Sequence, residues 1–203
     1  MNPWHSIPLS DYEGHMSAPG VEQLAALSFL FSRALKRVRP TSVAVLGIAG
    51  GNGLEHIEAS VSRVVGIDIR AEYLDAVRRR FPALPLELYC LDLAADTVTA
   101  APVELVHAAL IFEHAGLGRA LENALSLVAP GGSISVVLQL PSSAATVTPT
   151  PFASMQSLRD HVSVIAFDGL RELLESKDFD PLVEEAMALP GGKSFWLGIF
   201  SRY

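Results

Sequence analysis

A chain of 203 residues, 50% apolar and 18% charged, is long enough to bury a sizeable core and too apolar to be disordered, so one domain spanning 1–203 is expected. With 15 Lys and Arg against 22 Asp and Glu, the net charge of −7 argues against nucleic acid or an anionic membrane as the main partner. The single Cys90 excludes an internal disulfide and a thiolate metal cluster, and no signal-peptide pattern or membrane-length apolar run is found, which together predict a cytoplasmic protein without metal.

Residues 1–16 read as polar and irregular, with Pro3 and Pro8 breaking any helix. From Val21, the positions Leu24, Leu27, Phe31, Ala34, Leu35 and Val38 recur at three- and four-residue steps, which predicts a packing helix closed by Pro40. Apolar runs follow at Ser42–Ile48, Arg63–Ile69, Leu86–Leu91, Val103–Leu110 and Ser133–Leu140. They lack strict polar alternation, as strands covered on both faces do. Helical patterns lie between most of them: Leu74, Val77 and Phe81 mark one, and Leu117, Leu121, Leu125 and Val128 another, ended by Pro130-Gly131-Gly132. Residues 94–101 carry too few large apolar side chains to be assigned. Pro141–Pro151 reads as a loop, and Phe167 to Leu174 as a helix with Asp168 at its N-cap. Leu182–Leu189 and Lys193–Arg202 read as two strands joined by Pro190-Gly191-Gly192. This alternation predicts an α/β fold: a mostly parallel sheet between two layers of helices, with an antiparallel pair at its end.

The first strand runs into a Gly-rich turn, Gly47-Ile48-Ala49-Gly50-Gly51-Asn52-Gly53, and a helical pattern follows. In an open parallel sheet, the first strand-to-helix crossover is where nucleotide-like cofactors bind. Asp68 ends the second strand, where an acid can accept both hydroxyls of a ribose. A dinucleotide fingerprint read from Gly51 and Gly53 requires a small residue at position 56, and His56 fails it, as does the reading from Gly47.

From about Thr41 to Tyr203 the chain resembles the class I S-adenosylmethionine-dependent methyltransferases. Ala49-Gly50-Gly51-Asn52-Gly53 is similar to that family's G-x-G-x-G turn, and Asp68 stands in the place of its ribose-binding acid. Asp92 resembles its adenine-contacting acid. Glu113-His114 falls in the turn after strand four, and Leu127 to Gly132 leads into strand five as the family's Leu-x-Pro-Gly-Gly does. The resemblance implies a seven-stranded sheet of order 3-2-1-4-5-7-6 with strand 7 antiparallel, and S-adenosyl-L-methionine as cofactor. Its neighbours would be Gly47, Ile48, Ala49, Gly51, Gly53, Asp68, Ile69, Asp92, Leu93 and Ala109. It also implies an N-terminal lid within residues 1–40, over a core from residue 41 on, with Tyr12, Glu13 and His15 reaching the site.

Methyl transfer is an in-line displacement helped by alignment and exclusion of water, with a base needed only when the acceptor must lose a proton. His15, His114 and Tyr12 are the catalytic candidates, and His107 reads as a core histidine. The acceptor is expected to be a small molecule, seated over strands four and five between the N-terminal segment, Leu110–His114, Gln139 and the loop at 141–151. The protein is expected to be a monomer or homodimer. Two departures keep an alternative open. The acid that usually ends strand one is Gly47, and the turn's first glycine is Ala49, so a non-catalytic or regulatory S-adenosylmethionine-binding protein also fits. Arg78-Arg79-Arg80 reads as charge offsetting a helix dipole, and Cys90 as a small core residue.

Overall fold

The structure is a computed structural model and describes residues 2–202. Met1 and Tyr203, the outer limits of the expected lid and core, lie outside the described residues. The seven strands are β1 (Ser42–Leu46), β2 (Arg63–Asp68), β3 (Leu86–Cys90), β4 (Val103–Ala109), β5 (Val128–Gln139), β6 (Asp180–Ala188) and β7 (Ser194–Ser201). They form one sheet of order β3-β2-β1-β4-β5-β7-β6. β1 to β5 run parallel, and β7 is antiparallel to both β5 and β6. This is the expected order and direction.

Side chains two apart share a face of a strand, so the apolar runs build two cores. Val43, Val45, Val64, Leu105 and Val137 face α2 (Gln23–Val38) and α3 (Ala71–Arg80), which contribute Leu30, Phe31, Ala34, Leu74 and Val77. Ala44, Leu46, Val65, Ile67, Val106 and Val136 face the other way, against Leu121 and Ala124 of α5 (Arg119–Ser126) and Leu170 and Leu174 of α6 (Phe167–Glu175). His107 points into the first core, stacked on Phe31 at 4.4 Å between ring centroids and bonded to Ser135 at 3.1 Å. Burial pushes its pKa down to about 3, so it is a neutral core histidine.

Several local expectations are corrected. Residues 1–16 are not irregular: Pro3–Ser6 form a 3-10 turn and α1 spans Leu9–Ser17. Both prolines sit at helix starts, where the missing N–H has no partner to lose. After Gly53 there is one 3-10 turn, Leu54–His56, rather than a helix. β1 and β2 pair from Ser42↔Arg63 to Leu46↔Ile67, so the chain must travel back the length of the strand. Nine residues in α-helix would cover only about 13 Å of the roughly 16 Å needed. The face left open is covered by α2, tied down by Asn52 Nδ2 donating to the Leu24 carbonyl at 2.9 Å. β5 begins at Val128, and the Pro-Gly-Gly stretch is a bulge in its pairing with β4 rather than a helix end. Ala166, not Asp168, is the N-cap of α6.

Residues 94–101, which the sequence left unassigned, hold turns and no helix. The buried Asn123 side chain donates to the Leu93 and Asp96 carbonyls and accepts from Val98 N–H, supplying the hydrogen bonds a helix would have made internally. Cys90 is exposed, because β3 is the sheet's edge strand and is only half covered. Among the described residues no helix is long and apolar enough to cross a membrane.

Candidate functional site

The parallel strands end at one edge of the sheet, and a cavity opens there with about 1170 Å³ of empty space, its mouth included. Its floor follows strand order: Asp92 and Leu93 after β3, Asp68 and Ile69 at β2, Gly47 and Ala49 after β1, Ala109 and Ile111 after β4, and Gln139 at the end of β5. Trp4, Tyr12 and His15 roof it from the N-terminus, and Val147, Met155 and Leu158 from the segment that follows β5.

The Gly-rich turn is shaped as much by packing as by any ligand. A side chain at Gly51 would meet Phe81 at 2.7 Å, and one at Gly53 would meet Phe31 at 2.8 Å. These two glycines, with the buried Ile48, seat the turn against α2 and α3 and stand behind the cavity wall. Ile48, Gly51 and Gly53 are not among the residues that line the cavity.

Ala49 does adopt the left-handed conformation, at φ 46°, and its N–H donates to Asp68 Oδ2 at 2.9 Å. A left-handed L-residue costs ~1–2 kcal/mol, while glycine loses ~0.5–1 kcal/mol more entropy on folding. Ala49→Gly is thus expected to raise stability by up to ~1 kcal/mol, about 2–4 °C in Tm by thermal denaturation.

Asp68 is the anchor of the floor. It is 7% exposed, with Oδ2 held by Ala49 N–H and Oδ1 by Arg70 N–H at 3.0 Å. Burial pushes its pKa up to about 6, with the backbone N–H groups and Arg70 pulling the other way. Asp92 also faces the cavity, and its Oδ1 accepts from Ala94 N–H at 2.9 Å within its own turn.

Beyond β4 the chain bends at Leu110, a non-glycine residue at φ 54°, into the short helix α4 (Phe112–Ala115). That bend turns Glu113 and His114 toward the cavity and Phe112 into the core. Glu113 Oε1 accepts from Gln139 N–H at 2.8 Å, whereas Glu113 Oε2 and His114 Nδ1 are buried with no hydrogen-bond partner. Burial pushes Glu113 up to about 7 and His114 down to about 4. Buried polar atoms are rarely left unpaired, and two in one cavity mark a place shaped for a polar ligand.

The roof is pinned from both sides. Arg70 donates to the His5 and Trp4 carbonyls, Tyr73 Oη to the Ile7 carbonyl at 2.9 Å, and Arg80 pairs with Glu13 and with the Gly50 carbonyl. Glu13 therefore ties α1 to the Gly-rich turn through Arg80 and does not line the cavity, and Arg80 is its partner rather than a mere dipole charge. On the far side, His15 Nδ1 meets Thr150 Oγ1 at 2.8 Å, Ser154 Oγ donates to Asp11 at 2.6 Å, and Ile7 packs with Val147, Met155 and Leu158. Burial, then the Lys193 charge, lowers the His15 pKa. Burial, then Asp68 and Glu13, raises that of Tyr12.

Of the residues expected from sequence, Tyr12, His15, Gly47, Ala49, Asp68, Ile69, Asp92, Leu93, Ala109 and His114 line one cavity. Sequence reasoning missed Trp4, Tyr73, Met155, Leu158 and Lys193. The lone Trp4 in a polar stretch and the three-residue spacing of Met155 and Leu158 were the available signals. Among the described residues no group of acids, histidines and cysteines could hold a metal ion.

Residues 43–132 match the family described as "Methyltransferase domain". No curated protein sequence matches the chain. Among solved structures, the N-methyltransferase NodS from Bradyrhizobium japonicum in complex with S-adenosyl-L-homocysteine is similar at 14% identity and TM-score 0.66, over 89% of this chain and 87% of that one. The plantazolicin methyltransferase BpumL, also in complex with S-adenosylhomocysteine, is similar at 14% identity and TM-score 0.62, over 96% and 95%. The [4+2]-cyclase SpnF shares the fold at 12% identity and TM-score 0.66, over 88% and 82%. Both methyltransferases hold S-adenosylhomocysteine, the product that S-adenosylmethionine leaves after methyl transfer. Its sheet order and antiparallel β7 give the chain the class I methyltransferase fold, and its residues 43–132 match a methyltransferase domain.

Proposed function

We propose that this protein transfers a methyl group from S-adenosylmethionine to a small-molecule acceptor, within one domain whose first 40 residues act as lid and anchor. The observation that carries this reading is a single roofed cavity. It joins the buried Asp68 carboxylate at β2 to the unpartnered Glu113 Oε2 and His114 Nδ1 beyond β4. The residues fit the cofactor. A carboxylate has about four lone-pair sites, and the N–H groups of Ala49 and Arg70 fill two at Asp68, leaving room for two ribose hydroxyls. Ile69, Leu93 and Asp92 offer an apolar slot with a polar edge for the adenine.

No acid stands at Gly47, where Ile111 Cδ1 lies 3.0 Å from the place of a Cβ. Glu113 is the carboxylate that can take the cationic amino group instead, assisted by the Ala109 backbone. When bound, the cofactor supplies a methyl carbon on a sulfonium, which an acceptor lone pair takes while the carbon–sulfur electron pair stays on sulfur. The roof excludes water and aligns the reactants. His15, neutral near pH 7 and held by Thr150, is placed to take the acceptor's proton. His114, with a pKa near 4, is too weak a base and serves as wall and hydrogen-bond partner. Tyr12 stays protonated and can only donate or orient.

Calorimetric titration with S-adenosylmethionine, S-adenosylhomocysteine and NAD tests the assignment. Micromolar binding of the two sulfur compounds and none of NAD is expected, and no binding of either to cofactor-free protein would remove the reading. A second reading, cofactor binding without methyl transfer, is favoured by the weak basicity of His114 and by the shared fold of a [4+2]-cyclase. A methylated product from an acceptor library with labelled cofactor would exclude it.

A further inference from the structure

Lys193 is a cavity-lining cation that neither the cofactor fit nor the proton transfer above uses. It precedes β7, is 4% exposed and lines the cavity. Its ammonium has three donors, and one is filled, by the Thr146 carbonyl at 2.6 Å. Among the described residues no carboxylate lies within ion-pair distance of it. A buried, uncompensated ammonium is costly, and here burial holds its pKa below the ordinary lysine range. Such a group is stable at working pH when an anion completes it.

The topology says which ligand that anion belongs to. The residues that fit the cofactor lie at the ends of β3, β2, β1 and β4 and, with Glu113, in α4 beside the end of β5, whereas Lys193 lies at β7, beyond β5. Strands are about 4.8 Å apart, so the start of β7, which lies at the same edge of the sheet as the end of β1, stands about 14 Å from it. The Thr146 carbonyl bonds its ammonium, the His15 ring feels its charge, and the same cavity is lined by Gln139 of β5 and by Val147, Met155 and Leu158 of the roof.

We propose that Lys193 is the recognition cation for a carboxylate on the methyl acceptor, seated on the β5–β7 side of the cavity with its apolar body under the 146–162 roof. The inference rests on the methyltransferase reading above. Acceptors are thus small apolar carboxylic acids, and Lys193 sets specificity rather than doing chemistry.

The test uses S-adenosylhomocysteine-saturated protein and matched pairs of probes: benzoate and benzamide, phenylacetate and phenylacetamide, hexanoate and hexanamide. Binding is read by calorimetry or NMR shifts. Wild type is expected to prefer each carboxylate ~10–100-fold, the range for a lost hydrogen bond to a charged group. Lys193→Gln keeps a donor for Thr146 and Lys193→Met removes it. Both are expected to abolish that preference while changing S-adenosylhomocysteine affinity less than twofold, which also shows that they fold.

Three results overturn the proposal: no carboxylate preference in wild type, a preference that survives Lys193→Met, or a variant that loses S-adenosylhomocysteine but keeps 5′-methylthioadenosine. The last would give Lys193 to the cofactor's own carboxylate. Failure of wild type to bind S-adenosylhomocysteine at all would instead sink the methyltransferase reading.

Discussion

Asp68→Asn is expected to bind S-adenosylhomocysteine ~10–100-fold more weakly than wild type at pH 7, with a change in Tm of no more than a few degrees. An ionised carboxylate accepts two hydroxyl bonds with charge assistance, and an amide can accept through one oxygen only. The small stability change follows from two opposed effects. At pH 7 the wild type holds a buried carboxylate above its pKa of about 6, against an ordinary value of 3.8, and that difference is worth about 3 kcal/mol. The amide relieves it, but turns one –NH2 toward the N–H of Ala49 or Arg70, a loss of ~1–3 kcal/mol. The same pKa sets the pH dependence of binding: wild-type affinity is expected to fall as pH drops through about 6, and that of Asp68→Asn to stay flat. Unchanged affinity in the variant would reduce Asp68 to a cap of the Gly-rich turn.

Glu113→Gln should separate stability from function in the opposite sense. The folded-state pKa of Glu113 is raised, so its proton stabilises the fold fully below its unfolded value of 4.5, and that stability is lost as pH rises through about 7. The difference is about 3 kcal/mol for a group that is 3% exposed. A glutamine keeps the bond from Gln139 N–H and carries no charge. At pH 8 the variant is therefore expected to melt about 5–10 °C above wild type, and at pH 4 to match it. Cofactor affinity should drop ~10-fold or more, because the unpartnered Oε2 is the carboxylate proposed for the cationic end. Saturating S-adenosylmethionine should narrow the gap in Tm by stabilising only the wild type strongly. A wild-type Tm flat from pH 5 to 8 would remove the premise that Glu113 is held near neutrality by burial.

All seven strands were legible because a strand covered on both faces needs only a short Val-, Ile- and Leu-rich run, which Val43–Leu46 and Val103–Ala109 supply. Asp68 was legible for a related reason: the end of β2 fixes it beside the first turn whatever surrounds it. The errors lie where a segment's state depends on distance to be covered or on a distant neighbour. His56 belongs to a single 3-10 turn because the return path from β1 is too short in residues for a helix. Cys90 is exposed because β3 has no partner beyond it.

By itself, then, the sequence determined the layers, the strand order implied by its family likeness, and the acids at the floor of the cavity, since each depends on local periodicity or on position at a strand end. Only the tertiary structure decided the roof and the charge inside it. His15 meets Thr150 across 135 residues and Asp11 meets Ser154 across 143. Whether Glu113 Oε2 or the Lys193 ammonium finds a partner is set by what those distant segments bring near. Local pattern can specify which face of an element is buried, but not which polar groups from the far end of the chain meet there, and those meetings define what this cavity can bind.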